Sequence, residues 1–118
     1  KMQHFVVIIL KDRKIIATQL QYRVSNFNIQ NYANSGYKVS PLQFTDTIQM
    51  LTIHRFADAK EAEDYCEHLC SSSGPMSKFN KEGFYAFSIS NQNYSTLYAR
   101  KDVEAYKKFY DLYYKQKK

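Results

Sequence analysis

The chain has no tryptophan, and only three glycines, two prolines and two cysteines among its 118 residues. Each shortage excludes a class of chemistry. Gly36, Gly74 and Gly83 lie far apart, so there is no phosphate-cradling loop or dinucleotide fingerprint, both of which need clustered glycines for close backbone approach. Little glycine and proline also argues against a disordered or fibrous chain. Cys66 and Cys70 are too few and too close for a disulfide framework. Zinc would need two further ligands, and His4, His54 and His68 stand at no metal-type spacing to the thiols. Both cysteines read instead as small residues near a helix–sheet contact. No serine lies in a Gly-x-Ser-x-Gly elbow, and no nucleophile, base and orienting group are set to converge. Nothing in the sequence asks for a metal or another cofactor. The longest apolar run, Phe5 to Leu10, is strand-sized, far short of the roughly 18 to 20 residues of a membrane span.

What is abundant is the aromatic ring. Hydrophobic residues make up 44% and aromatics 16% of the chain, with 11 Tyr and 8 Phe, so a core built on large rings is expected. The net charge is +6, and half of it comes from residues 101–118, where six Lys face Asp102, Glu104 and Asp111. The end, Lys115 to Lys118, reads as a solvated tail, so basicity is partly a terminal property. Asp58, Glu61, Glu63, Asp64 and Glu67 read as the solvated face of a helix.

Along the chain, His4 to Leu10 is short, continuous and β-branched, a strand by composition. Lys11 to Lys14 turns into a helix whose apolar stripe is Ile16, Leu20, Val24 and Phe27. Asn31 to Gly36 is a loop. Tyr37 to Phe44 and Thr47 to Phe56 are strand-like and split by Thr45-Asp46, a hairpin signal. Pro41 cannot donate to a ladder, which places its strand at a sheet edge. Asp58 with Glu61 opens a second helix, lined by Ala62, Tyr65, Cys66 and Leu69 and ended by Ser71 to Pro75. Residues 75–83 are a loop and Phe84 to Ser90 a fourth strand, with Ser90 or Asn91 able to cap a helix beyond it. A short helical piece, Tyr94 to Ala99, leads to a last helix carrying Val103, Tyr106, Tyr110 and Tyr113 at one helical phase.

The order β-α-β-β-α-β predicts one α+β domain over residues 1–118: a ferredoxin-like antiparallel sheet, two helices on one face, and an added C-terminal helix. Lys1-Met2 followed almost at once by a strand reads as a trimmed piece of a larger protein. A sheet with one bare face would alternate apolar and polar residues. The first strand does not: Phe5, Val7 and Ile9 point one way, Val6, Ile8 and Leu10 the other. Leaving three aliphatics bare forgoes roughly 1.5–3 kcal/mol each, so both faces should be covered. Leu51 and Ile53 suit the helix side, as do Phe87 and Ile89. Met50, Thr52, His54, Phe84, Ala86 and Ser88 are then expected on the second face. That face is filled either by the Tyr-rich last helix or by another chain.

The resulting expectation is contact rather than catalysis. A protein partner, a second copy among the forms it can take, would use the second face or the C-terminal helices. Met50, Thr52, His54, Phe84, Ala86, Ser88, Tyr98, Tyr106, Tyr110 and Tyr113 are the candidate contact residues. The fourth strand is the more inviting edge for strand addition, since Pro41 blunts the other. Two alternatives stand beside this: nucleic-acid binding by the Lys-bearing last helix, and a small-molecule or enzyme site centred on His54. An RNA-recognition reading lacks its glycine-plus-aromatic signature in Gln49 to Phe56.

The run Ile89-Ser90-x-x-Asn93-Tyr94-x-x-Leu97-Tyr98-x-x-Lys101-Asp102-Val103-x-x-Tyr106-x-x-Phe109-Tyr110 stands with His4 to Val7, Val24 to Asn28 and Gln49 to Thr52 upstream. Together these segments resemble a C-terminal domain that follows tetratricopeptide repeats in Bacteroidetes cell-envelope lipoproteins of the gliding-motility and type IX secretion kind. The resemblance spans nearly the whole chain and rests on scattered aromatic, Asn and Ser positions. It implies a non-catalytic domain of an assembly- or secretion-associated protein, in the periplasm or at the outer membrane. The motif carries no catalytic residue.

Overall fold

A computed structural model describes residues 3–12, 14–45, 48–79, 83–101 and 103–113, without the side chains of Phe109, Leu112 and Tyr113. Its elements run β1 (His4–Leu10), α1 (Ala17–Asn31), β2 (Lys38–Gln43), β3 (Gln49–Phe56), α2 (Ala59–Cys70), a 3-10 turn (Pro75–Lys78), β4 (Phe84–Ser90), α3 (Asn91–Arg100) and α4 (Val103–Tyr113). The fold is α+β. The four strands form one sheet in the order β2-β3-β1-β4, with every neighbouring pair antiparallel. β1 and β3 are central, and the Pro41 strand is an edge. Asp46 and Thr47 of the expected hairpin, Asp102, and the Lys115 to Lys118 tail lie outside the described residues.

Helix starts are set by local chemistry where it is available. The Asp58 carboxylate accepts from the Glu61 N–H at 3.0 Å and opens α2. Ser90 Oγ accepts from the Asn93 N–H at 3.1 Å and opens α3, which is longer than the expected piece. At the start of α1 the cap residue is Ile16, which has no side-chain acceptor, and Gln49 Oε1 from β3 receives the Ala17 N–H at 3.3 Å. Ile16 is therefore half exposed (51%), and the buried stripe begins at Ile15 and Ala17 instead. α2 stops where Ser71 Oγ turns back to the His68 carbonyl at 2.7 Å. Gly74 is then tucked against the carbonyls of His68 and Leu69, in space that a Cβ would occupy.

Val6, Val7, Ile8 and Ile9 are all fully buried, so both sides of β1 are covered. One cluster joins Val6, Ile8, Leu51 and Ile53 to Leu20 and Val24 of α1 and to Ala62, Tyr65 and Leu69 of α2. The opposite cluster joins Val7, Ile9, Met50, Phe87 and Ile89 to Leu97 of α3 and to Val103 and Tyr110 of α4. The chain supplies its own third layer.

One assignment is reversed. Register pairs Val6, Ile8 and Leu10 with Ser88, Ala86 and Phe84, and pairs Val7 with Phe87. Phe84, Ala86 and Ser88 therefore face α1 and α2, while Phe87 and Ile89 face the third layer. The strand FYAFSIS is apolar at both parities, so its phase is decided by what caps it. Phe87→Ala, which removes a fully buried ring between sheet and α4, is expected to cost about 3–5 kcal/mol, read from the urea midpoint.

Candidate functional site

In an antiparallel ladder, alternate residues of an edge strand point their N–H and C=O away from the sheet. Lys11 N–H donates to Gly83 O at 2.9 Å and Asn91 N–H to Gln3 O at 2.9 Å, which fixes the odd residues of β4 as those bonded to β1. The outward groups of β4 therefore belong to Phe84, Ala86, Ser88 and Ser90. On β2, the Phe44 N–H donation to Ile48 O at 2.9 Å sets Val39, Pro41 and Gln43 outward.

The β2 edge is closed twice. Gln21 Nε2 donates to Val39 O at 3.2 Å, and Pro41 has no N–H to offer. On β4, Tyr106 OH donates to Ser88 O at 2.8 Å, so α4 occupies the upper part of that edge. Ser88 Oγ donates to Glu63 Oε2 at 2.5 Å and Tyr110 OH to Glu63 Oε1 at 3.0 Å. Glu63 thus ties α2 to α4 around the strand between them.

Below this clamp the edge is open. Among the described residues, none bonds to the outward N–H or carbonyl of Ala86. A groove of about 380 Å³ runs past it. Met76, Ser77, Phe79 and Cys70 wall one side, Phe84 and Ala86 form the floor, and Tyr85 and Lys107 wall the other. Lys107 is held in place by Asp111 at 2.8 Å and lies over the Tyr85 ring, as does Lys11. A backbone donor and acceptor between a largely apolar wall and one made of Tyr85 and Lys107 can receive an extended peptide, which brings its own ladder groups.

The ten expected contact residues are not gathered on one surface. Met50, Ser88 and Tyr110 are buried in this chain, and Thr52 is buried with its hydroxyl 3.3 Å from Tyr94 OH. His54 is half-buried, edge-on to Phe5, with burial pulling its pKa below the ordinary histidine value. Tyr98 is exposed (44%) on α3 beneath the Lys101 ammonium. Tyr106 is half-buried as the cap of Ser88, and the Tyr113 side chain is not described. Among those of the ten whose side chains are described, only Phe84 and Ala86 line the groove. Of the α2 carboxylates, Asp64 and Glu67 are exposed as a solvated face requires, while two depart from it: Glu61 accepts from Tyr37 OH at 2.6 Å and Glu63 from the two hydroxyls above. A Glu three residues after a cap, as Glu61 is, reads in sequence as a capping partner; nothing at Glu63 signals its role. Cys66 is buried and Cys70 exposed, and no disulfide joins the described residues.

Comparison with known proteins finds no matching family model, no matching curated protein and no matching solved structure.

The clamp has two measurable consequences. Glu63→Ala removes the acceptor shared by Ser88 and Tyr110 and is expected to cost about 1–3 kcal/mol in chemical denaturation. Desolvation and the Glu61 carboxylate raise the Tyr37 phenol from 10.0 to about 12, and desolvation chiefly raises Tyr110 as well. A raised phenol keeps its proton in the folded state after the unfolded state has lost its own. The stability these groups contribute is whole below pH 10 and falls as pH rises towards 12 for Tyr37. Tyr37→Phe should flatten that alkaline fall, measured by denaturation midpoints across the range.

Proposed function

We propose that this chain is a non-catalytic docking domain of a larger, envelope-associated assembly protein, and that it receives an extended segment of a protein partner along the Phe84–Ala86 edge. The observation that carries the reading is the unpartnered outward backbone of Ala86, set in a walled groove while the Val39 and Ser88 carbonyls at the edges are capped by Gln21 and Tyr106. The antiparallel order β2-β3-β1-β4 supports the ferredoxin-like reading of the core. The aromatic and Asn/Ser pattern of the C-terminal half supports a place beside tetratricopeptide repeats in a periplasmic or outer-membrane protein.

The alternatives draw less support. A nucleic-acid surface on α4 would need a row of available cations, yet Lys107 is bound by both oxygens of Asp111 and Lys101, just before the helix, is laid over Phe44 and Tyr98, which leaves Lys108 as the exposed lysine of the described α4. A small-molecule site at His54 would need a deep pocket, and the grooves at β4 and along α1 lie elsewhere.

The test is selection from a displayed library of extended peptides, followed by amide-resonance mapping of the bound chain. Binders should perturb Phe84, Ala86 and Lys107. Ala86→Pro deletes an outward N–H that β1 does not use, so the fold should persist while affinity falls about tenfold, the worth of one ladder bond. Selected peptides that bind elsewhere, or that Ala86→Pro leaves unaffected, would defeat the proposal.

A further inference from the structure

Three residues of β4 face the α1–α2 layer, and they differ in the room they leave at the strand edge. Phe84 fills its place with a ring and is 8% exposed. Ser88 is fully buried, with its hydroxyl committed to Glu63. Ala86 lies between them, half-buried, with only a methyl group. Cys70, Met76 and Phe79 wall the groove on that face. The space beside the outward backbone of Ala86 is therefore largely apolar, and it lies on one side of the sheet.

Ladder geometry selects which residue of a bound segment enters it. A strand paired through the Ala86 N–H and carbonyl sets one residue directly opposite Ala86, whether it runs parallel or antiparallel. Residues paired in this way share a face. The side chain opposite Ala86 thus points to the wall of Cys70, Met76 and Phe79, and its two neighbours point to Tyr85 and Lys107. That second wall has its charges already matched. Lys107 holds both oxygens of Asp111, and Tyr85 OH donates to Glu104 at 2.9 Å. Towards α3 the ladder stops, because Tyr106 occupies the Ser88 carbonyl; towards β4's start, the Phe84 ring fills the same face.

We infer, resting on the docking reading above, that the bound segment carries one bulky apolar side chain opposite Ala86, with no charge requirement at the residues on either side. The missing side chain of Ala86 makes the room, which makes Ala86 the specificity-determining residue of this edge. Alternate side-chain pockets beside a main-chain ladder are how strand addition gains selectivity.

A displayed library of random dodecapeptides, selected on the intact chain, tests this. Selected sequences should share one Leu, Ile, Met or Phe. Replacing it by alanine in the synthetic peptide should weaken binding about tenfold, with little dependence on added salt. Ala86→Leu fills the room from the other side and should turn selection to glycine or alanine at that position, its urea midpoint reporting an intact fold. The peptides also locate the face without altering the chain. A cysteine at the apolar position should form a mixed disulfide with the exposed Cys70 in a thiol–disulfide buffer, and a cysteine one residue along should not. Selected sequences without the apolar residue, cross-linking at the neighbouring position, or a folded Ala86→Leu chain that selects as before would each overturn the inference. Binding that Ala86→Pro still weakens would then leave the docking edge itself standing; binders indifferent to Ala86→Pro would remove both.

Discussion

A central strand without a polar side has to be buried from two directions. Val6 to Ile9 place fully buried aliphatics on both sides of β1, and the rest of the architecture answers that demand. α1 and α2 cover one face as part of the sheet's own crossovers. The other face is closed by α3 and α4, whose rings Tyr106 and Tyr110 each lie within about 6 Å of Phe87. Because α4 crosses the rim of β4 to do this, the same burial also determines which stretch of strand edge is sealed and which is left open.

That coupling gives the clamp its character. Tyr106 and Tyr110 lie one helical turn apart on α4; one bonds to the backbone of Ser88 and the other to Glu63 beyond it. The hydroxyls that an aromatic core brings inside must find partners. Here they find them at a sheet edge, where unsatisfied carbonyls are available. Core chemistry and edge protection are one arrangement.

Much of this was legible in the residues. The continuous aliphatic run of β1 announced two covered faces, Pro41 announced an edge, and Asp58 and Ser90 announced helix starts through side-chain acceptors. The apolar phase of Val103, Tyr106 and Tyr110 announced a helix needing a surface. What was illegible is equally physical. Phe84 to Ser90 is apolar at both parities, so periodicity could not choose its inward face, and six of the ten contact residues were chosen for a face that α3 and α4 fill or for the wrong side of β4. Ile16 fits the helical stripe by spacing, yet it stands before the first turn with extended backbone. Glu63 looked like one more surface charge, because its partners are far away in sequence. The groove owes its shape to the order of layers, which no local pattern encodes.

β1 and its cover are also far apart in the order of synthesis. The strand is translated before every other element described, while the helices that shield Val7 and Ile9 are translated after all the others. Until then a growing sheet would present a greasy, unfinished side to its surroundings. Vectorial synthesis therefore favours keeping the whole polypeptide open, or held by a chaperone, until its C-terminal helices are available. A truncation that spares every strand would still leave a sticky product.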